Sequence, residues 1–252
     1  MARKRFDPQE AARDAIGAAR TAIGERLESA TLYGSAVMGT FDADGSDLNV
    51  AIVVRDLDPP TLGSLRSARK TWSRCRLVRP LLVTRSILAS SRDTFPLEYL
   101  LIRTFHQTLE GEDPFASLLI ERPALRLQVE RTLRTQSLAL AWSYLDADES
   151  PAAAEQWAIR AGTAIAASVS GLLHLVGEPI PAERAALANR AAARFDAPER
   201  ALRNVLQPRA ERPRLDTTTV FAEARSCVQG LLDAAERLDP SPESVSTNEG
   251  GM

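Results

Sequence analysis

The sequence predicts an α/β domain followed by an all-α domain, and three observations carry that expectation. The run Leu48-Asn49-Val50-Ala51-Ile52-Val53-Val54 has the β-branched density of a buried strand and lies between turn-forming residues. From about Pro123 onward strand signals stop and apolar residues recur at helical spacing. With 252 residues, 44% hydrophobic and 25% charged, the chain is long enough for two modest apolar cores, and its composition excludes wholesale disorder. The expected limits are 1–118 for the α/β domain, 119–239 for a helical bundle and 240–252 for a disordered acidic tail.

Each element follows from local chemistry. A helix is expected from Pro8 to about Glu28, with Asp7 as its cap and Ile16, Ile23 and Leu27 on one face. The apolar run Ala30–Tyr33 then enters Gly34-Ser35 and a short helix, Ala36–Gly39. The turn-rich stretch Asp42-Ala43-Asp44-Gly45-Ser46 precedes the strong strand. Asp58-Pro59-Pro60 opens a helix to about Trp72. Leu77–Val83 is a third strand, which Pro80 assigns to a sheet edge or a bulge. Asp93-Thr94-Phe95-Pro96 starts another helix, and Gly111-Glu112-Asp113-Pro114 is a loop. In the second half, Leu125, Val129, Leu133, Leu140 and Tyr144 line one face of a long helix. Arg126, Glu130 and Arg134 are spaced there for i,i+4 pairing. Trp157 to Val176 forms a second helix, ended by Gly177 and Pro179, and two or three more fit between Pro181 and Leu238.

Charge and cysteine usage narrow the function classes. The formal net charge is −2, which argues against a protein that coats nucleic acid. Lysine occurs only at Lys4 and Lys70, so arginine supplies nearly all the positive charge. From Pro59 to Arg92 there are eight basic residues and no acidic one: Arg66, Arg69, Lys70, Arg74, Arg76, Arg79, Arg85 and Arg92. Two readings stand for this run, a solvated face paired with acids elsewhere or a surface turned towards an anion. Cys75 and Cys227 match no zinc or redox spacing, so a reduced, cytoplasmic protein is expected. No apolar stretch is long enough for a bilayer, and no membrane partner is expected. The two histidines, His106 and His174, form no catalytic or metal-ligand pattern with their neighbours.

The stretch that carries chemistry is Tyr33-Gly34-Ser35 followed by Ser46-Asp47-Leu48-Asn49. Glycine after a strand allows a sharp turn and close approach to a ligand, and the serine offers a hydroxyl and backbone N–H groups to phosphate. In an alternating strand Asp47 and Asn49 share a face, and two oxygen ligands at that spacing suit a Mg²⁺ ion that bridges phosphates.

These residues resemble the nucleotidyltransferase superfamily that includes DNA polymerase beta and the aminoglycoside and minimal nucleotidyltransferases. Its signature is Gly-Ser, roughly ten residues, then Asp-x-Asp/Glu on a strand, matched here at Gly34, Ser35, Ser46 and Asp47. The resemblance covers about residues 29–115. It implies a nucleotidyltransferase-like domain with a small mixed sheet, ahead of a helical domain. It further implies Mg²⁺-dependent transfer of a nucleoside monophosphate from a nucleoside triphosphate to a hydroxyl. Gly34, Ser35 and Ser46 would hold the nucleotide, Asp47 would be catalytic, and Asp47 with Asn49 would bind the metal. The sequence departs from the pattern where Asn49 replaces the second carboxylate, and Leu77–Val83 carries no third. Asp93, Glu98, Glu112 and Asp113 are the acids that could fold back.

Two functions follow as expectations. The first is an enzyme acting on a nucleotide and a small-molecule or protein acceptor. The second is a catalytically lapsed nucleotide-binding or regulatory module. Nucleic-acid binding is the weaker third, and a homo-oligomer is compatible with either of the first two.

Overall fold

The computed structural model describes residues 6–42, 46–146, 151–207 and 216–238, with backbone alone for 151–160. The expected disordered tail, most of the Asp42–Ser46 turn and the side chain of Trp157 lie outside the described residues. The chain divides into two compact units. Among the described residues the first runs to Ile120 and includes Ile180–Leu187, and the second comprises Glu121–Pro179 and the residues from Ala188 on.

The first unit is mixed α/β. Helix α1 (Pro8–Ile23) starts where the Asp7 carboxylate accepts from the N–H groups of Gln9 and Glu10. It stops at Gly24, five residues short of the expected end. Leu27, whose spacing after Ile23 suited a helix, instead opens strand β1 (Leu27–Tyr33). A short helix α2 (Ser35–Met38) and strand β2 (Asn49–Val54) follow. The helix expected from Pro59 to Trp72 is two helices, α3 (Pro59–Leu65) and α4 (Arg69–Arg74), joined by a single 3₁₀ turn. Strand β3 is only Leu81–Val83, directly after Pro80. Helices α5 (Arg85–Ser90) and α6 (Pro96–Thr104) lead to strand β4 (His106–Gly111), which local sequence did not predict.

The strands form one mixed sheet of four in the order β3-β2-β1-β4. Strand β1 is antiparallel to both β2 and β4, and β2 is parallel to β3. The proline therefore borders an edge strand, where its missing N–H costs no ladder bond. Strand β2 is buried on both sides, since Val50, Ala51, Ile52, Val53 and Val54 are all inaccessible. On one face Leu32, Val50 and Ile52 meet Ile16 and Ile23 of α1 and Leu65, Trp72 and Leu77 from the α3–α4 segment. The Trp72 indole N–H donates to the Ala15 carbonyl at 2.9 Å, tying α4 to α1. Buried side chains outside that cluster include Leu97, Leu100 and Phe115, from α6 and the segment after β4.

The second unit is helical: α7 (Arg122–Asp146), α8 (Pro151–Leu175), the greater part of α9 (Arg184–Phe195), α10 (Glu199–Leu206) and α11 (Thr217–Arg237). Helix α7 packs against α8 and α11 through Leu125, Val129, Leu133 and Leu140. The expected pairing is present: Glu130 bridges Arg126 at 3.3 Å and Arg134 at 2.9 Å. Tyr144, which the helical period placed on the buried stripe, is instead partly exposed, with its ring 4.6 Å from that of Phe221. No helix among the described residues is long and apolar enough to cross a membrane. Both cysteines are free and buried, and burial pushes the Cys227 thiol up to about 12.

Candidate functional site

The site is built at the end of the sheet where β1 gives way to α2. Gly34 adopts φ 76° and ψ −145°, a region that side-chain-bearing residues avoid. Its N–H donates to the Phe105 carbonyl at 3.0 Å, anchoring the turn to the residue before β4. Its carbonyl accepts from the N–H groups of Val37 and Met38, which closes α2. The N–H groups of Ser35 and Ala36 begin the helix and so lie outside its internal ladder.

Across the sheet Tyr33 is the direct partner of Asn49 on β2 and of His106 on β4. Directly opposed residues share a face, so Asn49, Tyr33 and His106 form a row beside the Gly34 turn. Asn49 lies close against the glycine: a Cβ built on Gly34 would sit 3.1 Å from its Nδ2. The carboxamide makes no hydrogen bond among the described residues, which leaves its oxygen available to a ligand. Burial raises the Tyr33 phenol above its ordinary pKa, keeping it a neutral donor.

Asp47 is exposed, Leu48 is buried in the α1 cluster and Asn49 is half-buried, which is the alternation expected of an entering strand. The Leu48 N–H donates to the Arg76 carbonyl at 3.0 Å. Ser46 closes its own loop: its N–H donates to the Asp42 carbonyl at 2.9 Å, and its hydroxyl accepts from the Asp42 N–H at 3.0 Å. That bond leaves the Ser46 hydroxyl proton free to donate.

The structure commits two of the acids that could have joined Asp47. Asp113 accepts from His106 Nε2 at 2.8 Å and from the N–H groups of Phe115 and Ala116. Glu112 pairs with Arg85 at 3.1 Å, and Arg85 also reaches Glu28 at 3.3 Å. Asp93 is exposed beside Thr94, and Glu98 is exposed on α6. Among the described residues no three His, Cys, Asp or Glu side chains form a group able to hold a metal.

The arginine run serves several purposes. Arg85 is in ion pairs, and Arg76 lies over the stacked rings of Phe6 and Phe41. Arg66, Arg69, Lys70 and Arg79 are exposed. Only Arg76 is tied by a backbone hydrogen bond to the strand entry beside Asp47. An open groove between α1 and α4, of about 430 Å³, is lined by Asp7, Glu10, Asp14 and Arg74; it does not include Gly34 or Asp47, and its acids disfavour phosphate.

Sequence reasoning missed the row of Tyr33, Asn49 and His106, and missed that Asp113 anchors the histidine. Both His106 ring nitrogens face acceptors, Asp113 on one side and the Arg103 carbonyl at 3.0 Å on the other. Each tautomer satisfies one of them and the protonated ring satisfies both. The signal for β4 was weak because His106-Gln107-Thr108-Leu109-Glu110 carries a single apolar residue. Its only local marker was the turn residue Gly111.

Asp113 also makes a pH prediction. Partial burial acts to raise its pKa, but the His106 hydrogen bond, the Phe115 N–H, the histidine charge and the Ala116 N–H outweigh it and hold the carboxyl below its ordinary value of 3.8. A lowered folded pKa stabilises the fold above the unfolded value, and that stabilisation is lost as pH falls through the folded one. Asp113→Asn is expected to cost about 1–3 kcal/mol at neutral pH. In urea titrations the gap between variant and wild type should close as pH falls below 3.8. A gap that stays constant across that range would refute the assignment.

No protein-family model matches the chain, and no curated protein is significantly similar to it.

Proposed function

We propose that the protein binds a Mg²⁺-complexed nucleoside triphosphate at the Gly34–Ser35 turn and acts as a nucleotide-responsive module of the nucleotidyltransferase-like type. In this reading the phosphates meet the first N–H groups of α2 and the Ser35 hydroxyl, and the Ser46 hydroxyl adds a further donor. The Asp47 carboxylate and the Asn49 amide oxygen are the residues that would hold Mg²⁺. The ion, when bound, neutralises the phosphate charge. One carboxylate with substrate phosphates is an ordinary Mg²⁺ environment.

The observation that carries this reading over transfer chemistry is the state of the acids that could have joined Asp47. Two-metal transfer depends on several carboxylates converging to hold both ions and activate the acceptor hydroxyl. Here Asn49 contributes no charge, Asp113 is bound to His106 and two N–H groups, and Glu112 is bound to Arg85.

The test is thermal stabilisation by each nucleoside triphosphate with Mg²⁺, run beside pyrophosphate release over a panel of hydroxyl acceptors. The expected result is stabilisation of about 2.7 kcal/mol at a hundredfold excess over Kd, without turnover. Asp47→Ala should weaken binding at least about tenfold, the lower range for residues that support a metal site. Turnover that Asp47→Ala abolishes would instead establish the transferase. Absence of binding, with Ser35→Ala and Asp47→Ala both silent, would overturn both readings.

A further inference from the structure

Helix α7 carries two apolar faces. One, with Leu125, Val129, Leu133 and Leu140, is buried in the helical unit. On the opposite side Leu127, Leu138, Trp142 and Leu145 are 62%, 74%, 69% and 68% exposed. At about 100° per residue these four fall within about 60° of one another, a single stripe and not scattered surface residues. Isolated exposed leucines are unremarked on any protein, whereas an aligned set that includes tryptophan marks a docking face.

We propose that this face is a self-association surface, through which two copies of the chain pair antiparallel about a two-fold axis near Leu138. Two features select a second copy as the occupant. The first is charge. Arg131 lies seven residues before Leu138 and Asp146 eight residues after it. Both are exposed, and neither has an ionic partner among the described residues. At about 1.5 Å per residue they stand some 11–12 Å either side of the axis, so Arg131 of one copy falls opposite Asp146 of the other, twice. The same geometry brings Leu138 against its own counterpart. It lays Trp142 and Leu145 along the Arg131–Thr135 stretch, where the arginine offers an aliphatic stem and a cation for the indole. The second feature is area. Leu138, Trp142 and Leu145 leave on the order of 400 Å² in water, so a symmetric pair covers on the order of 800 Å² from these side chains, and the Arg131–Thr135 stretches they lie along bring it towards the roughly 1,000 Å² of a specific interface. A lipid surface would favour a stripe flanked by cations alone, and this one is flanked by both signs.

The experiment is sedimentation velocity on the full chain over a concentration series. A reversible dimer is expected, and Leu138→Glu with Trp142→Glu should return it to monomer with unchanged circular dichroism, since both positions are exposed. Arg131→Glu and Asp146→Arg should each raise the dimer Kd by about tenfold, and the two together should restore it. A monomer at all concentrations, or a dimer indifferent to the Leu138→Glu/Trp142→Glu pair, would overturn the proposal. So would failure of the double charge exchange to restore pairing. A monomer that instead adsorbs to phosphatidylcholine vesicles through Trp142 would reassign the stripe and overturn it as well.

Discussion

Gly111→Ala should destabilise the first unit by about 3 kcal/mol or more, a loss typical of backbone strain combined with overpacking. Gly111 ends β4 at φ 74°, opposite Ser29 of β1. A Cβ there would stand 2.1 Å from the Glu28 carbonyl oxygen and 2.9 Å from the Ser29 Cα. These are backbone atoms near the start of β1, an inner strand of the sheet, and cannot rotate away. Arg85 holds the same corner from outside by pairing with Glu28 and Glu112. The alanine must therefore push β4 off β1, and with it the Tyr33–His106 pairing that frames the candidate site. Thermal melts should fall by roughly 10 °C. Gly63→Ala is the control: that glycine lies within α3 with open space around its Cα, so the change should stabilise by about 0.5–1 kcal/mol. Equal melting temperatures for the two variants would refute the argument.

Phe115→Ala should cost about 3–5 kcal/mol, the usual range for emptying a fully buried aromatic site. Phe115 is 0% exposed, and its ring meets His106 edge-on with centroids 5.9 Å apart. Its N–H also donates to Asp113 at 2.8 Å, so its backbone, ring and histidine contact form one assembly. Phe115→Leu keeps most of the volume and should recover stability to within about 1.5 kcal/mol of wild type. Urea denaturation of the three proteins checks the order. If the alanine variant matched the leucine variant, the burial argument would fail.

These expectations depend on features of unequal legibility. The Asp7 cap, the β-branched strand β2 and the Gly34-Ser35 turn were all readable, because each is determined by residues within a few positions of one another. Local sequence over-extends helix α1 because Leu27 satisfies a helical period as well as it begins a strand, and only the ladder with β2 separates the two. Strand β4 was not readable. Its alternation is almost wholly polar, and its identity as a strand comes from hydrogen bonds to β1, distant in sequence. Tyr144 misled for the same kind of reason: helical period assigns a face, but the packing of α11 decides how far along the helix that face is covered.

The candidate site divides in the same way. Gly34, Ser35, Asp47 and Asn49 are identifiable by spacing, and the neutral side chain at Asn49 is visible in the sequence alone. The commitments of the remaining acids were not. Asp113 and Glu112 are adjacent and equally plausible as ligands in one dimension, yet one turns to His106 and the other to Arg85.

By itself the sequence determined the order of α/β and helical segments, the chemistry of the Gly34 turn and the neutral amide of Asn49 beside it, since all of these reside in local residue types. The tertiary structure alone decided that Tyr33 stands between Asn49 and His106, that Asp113 and Glu112 are paired with His106 and Arg85, and that α7 keeps a second apolar face outside its core. The physical reason is common to all three: cross-strand register, ion pairing and burial are properties of residues brought together from distant parts of the chain, and no local pattern encodes the partner.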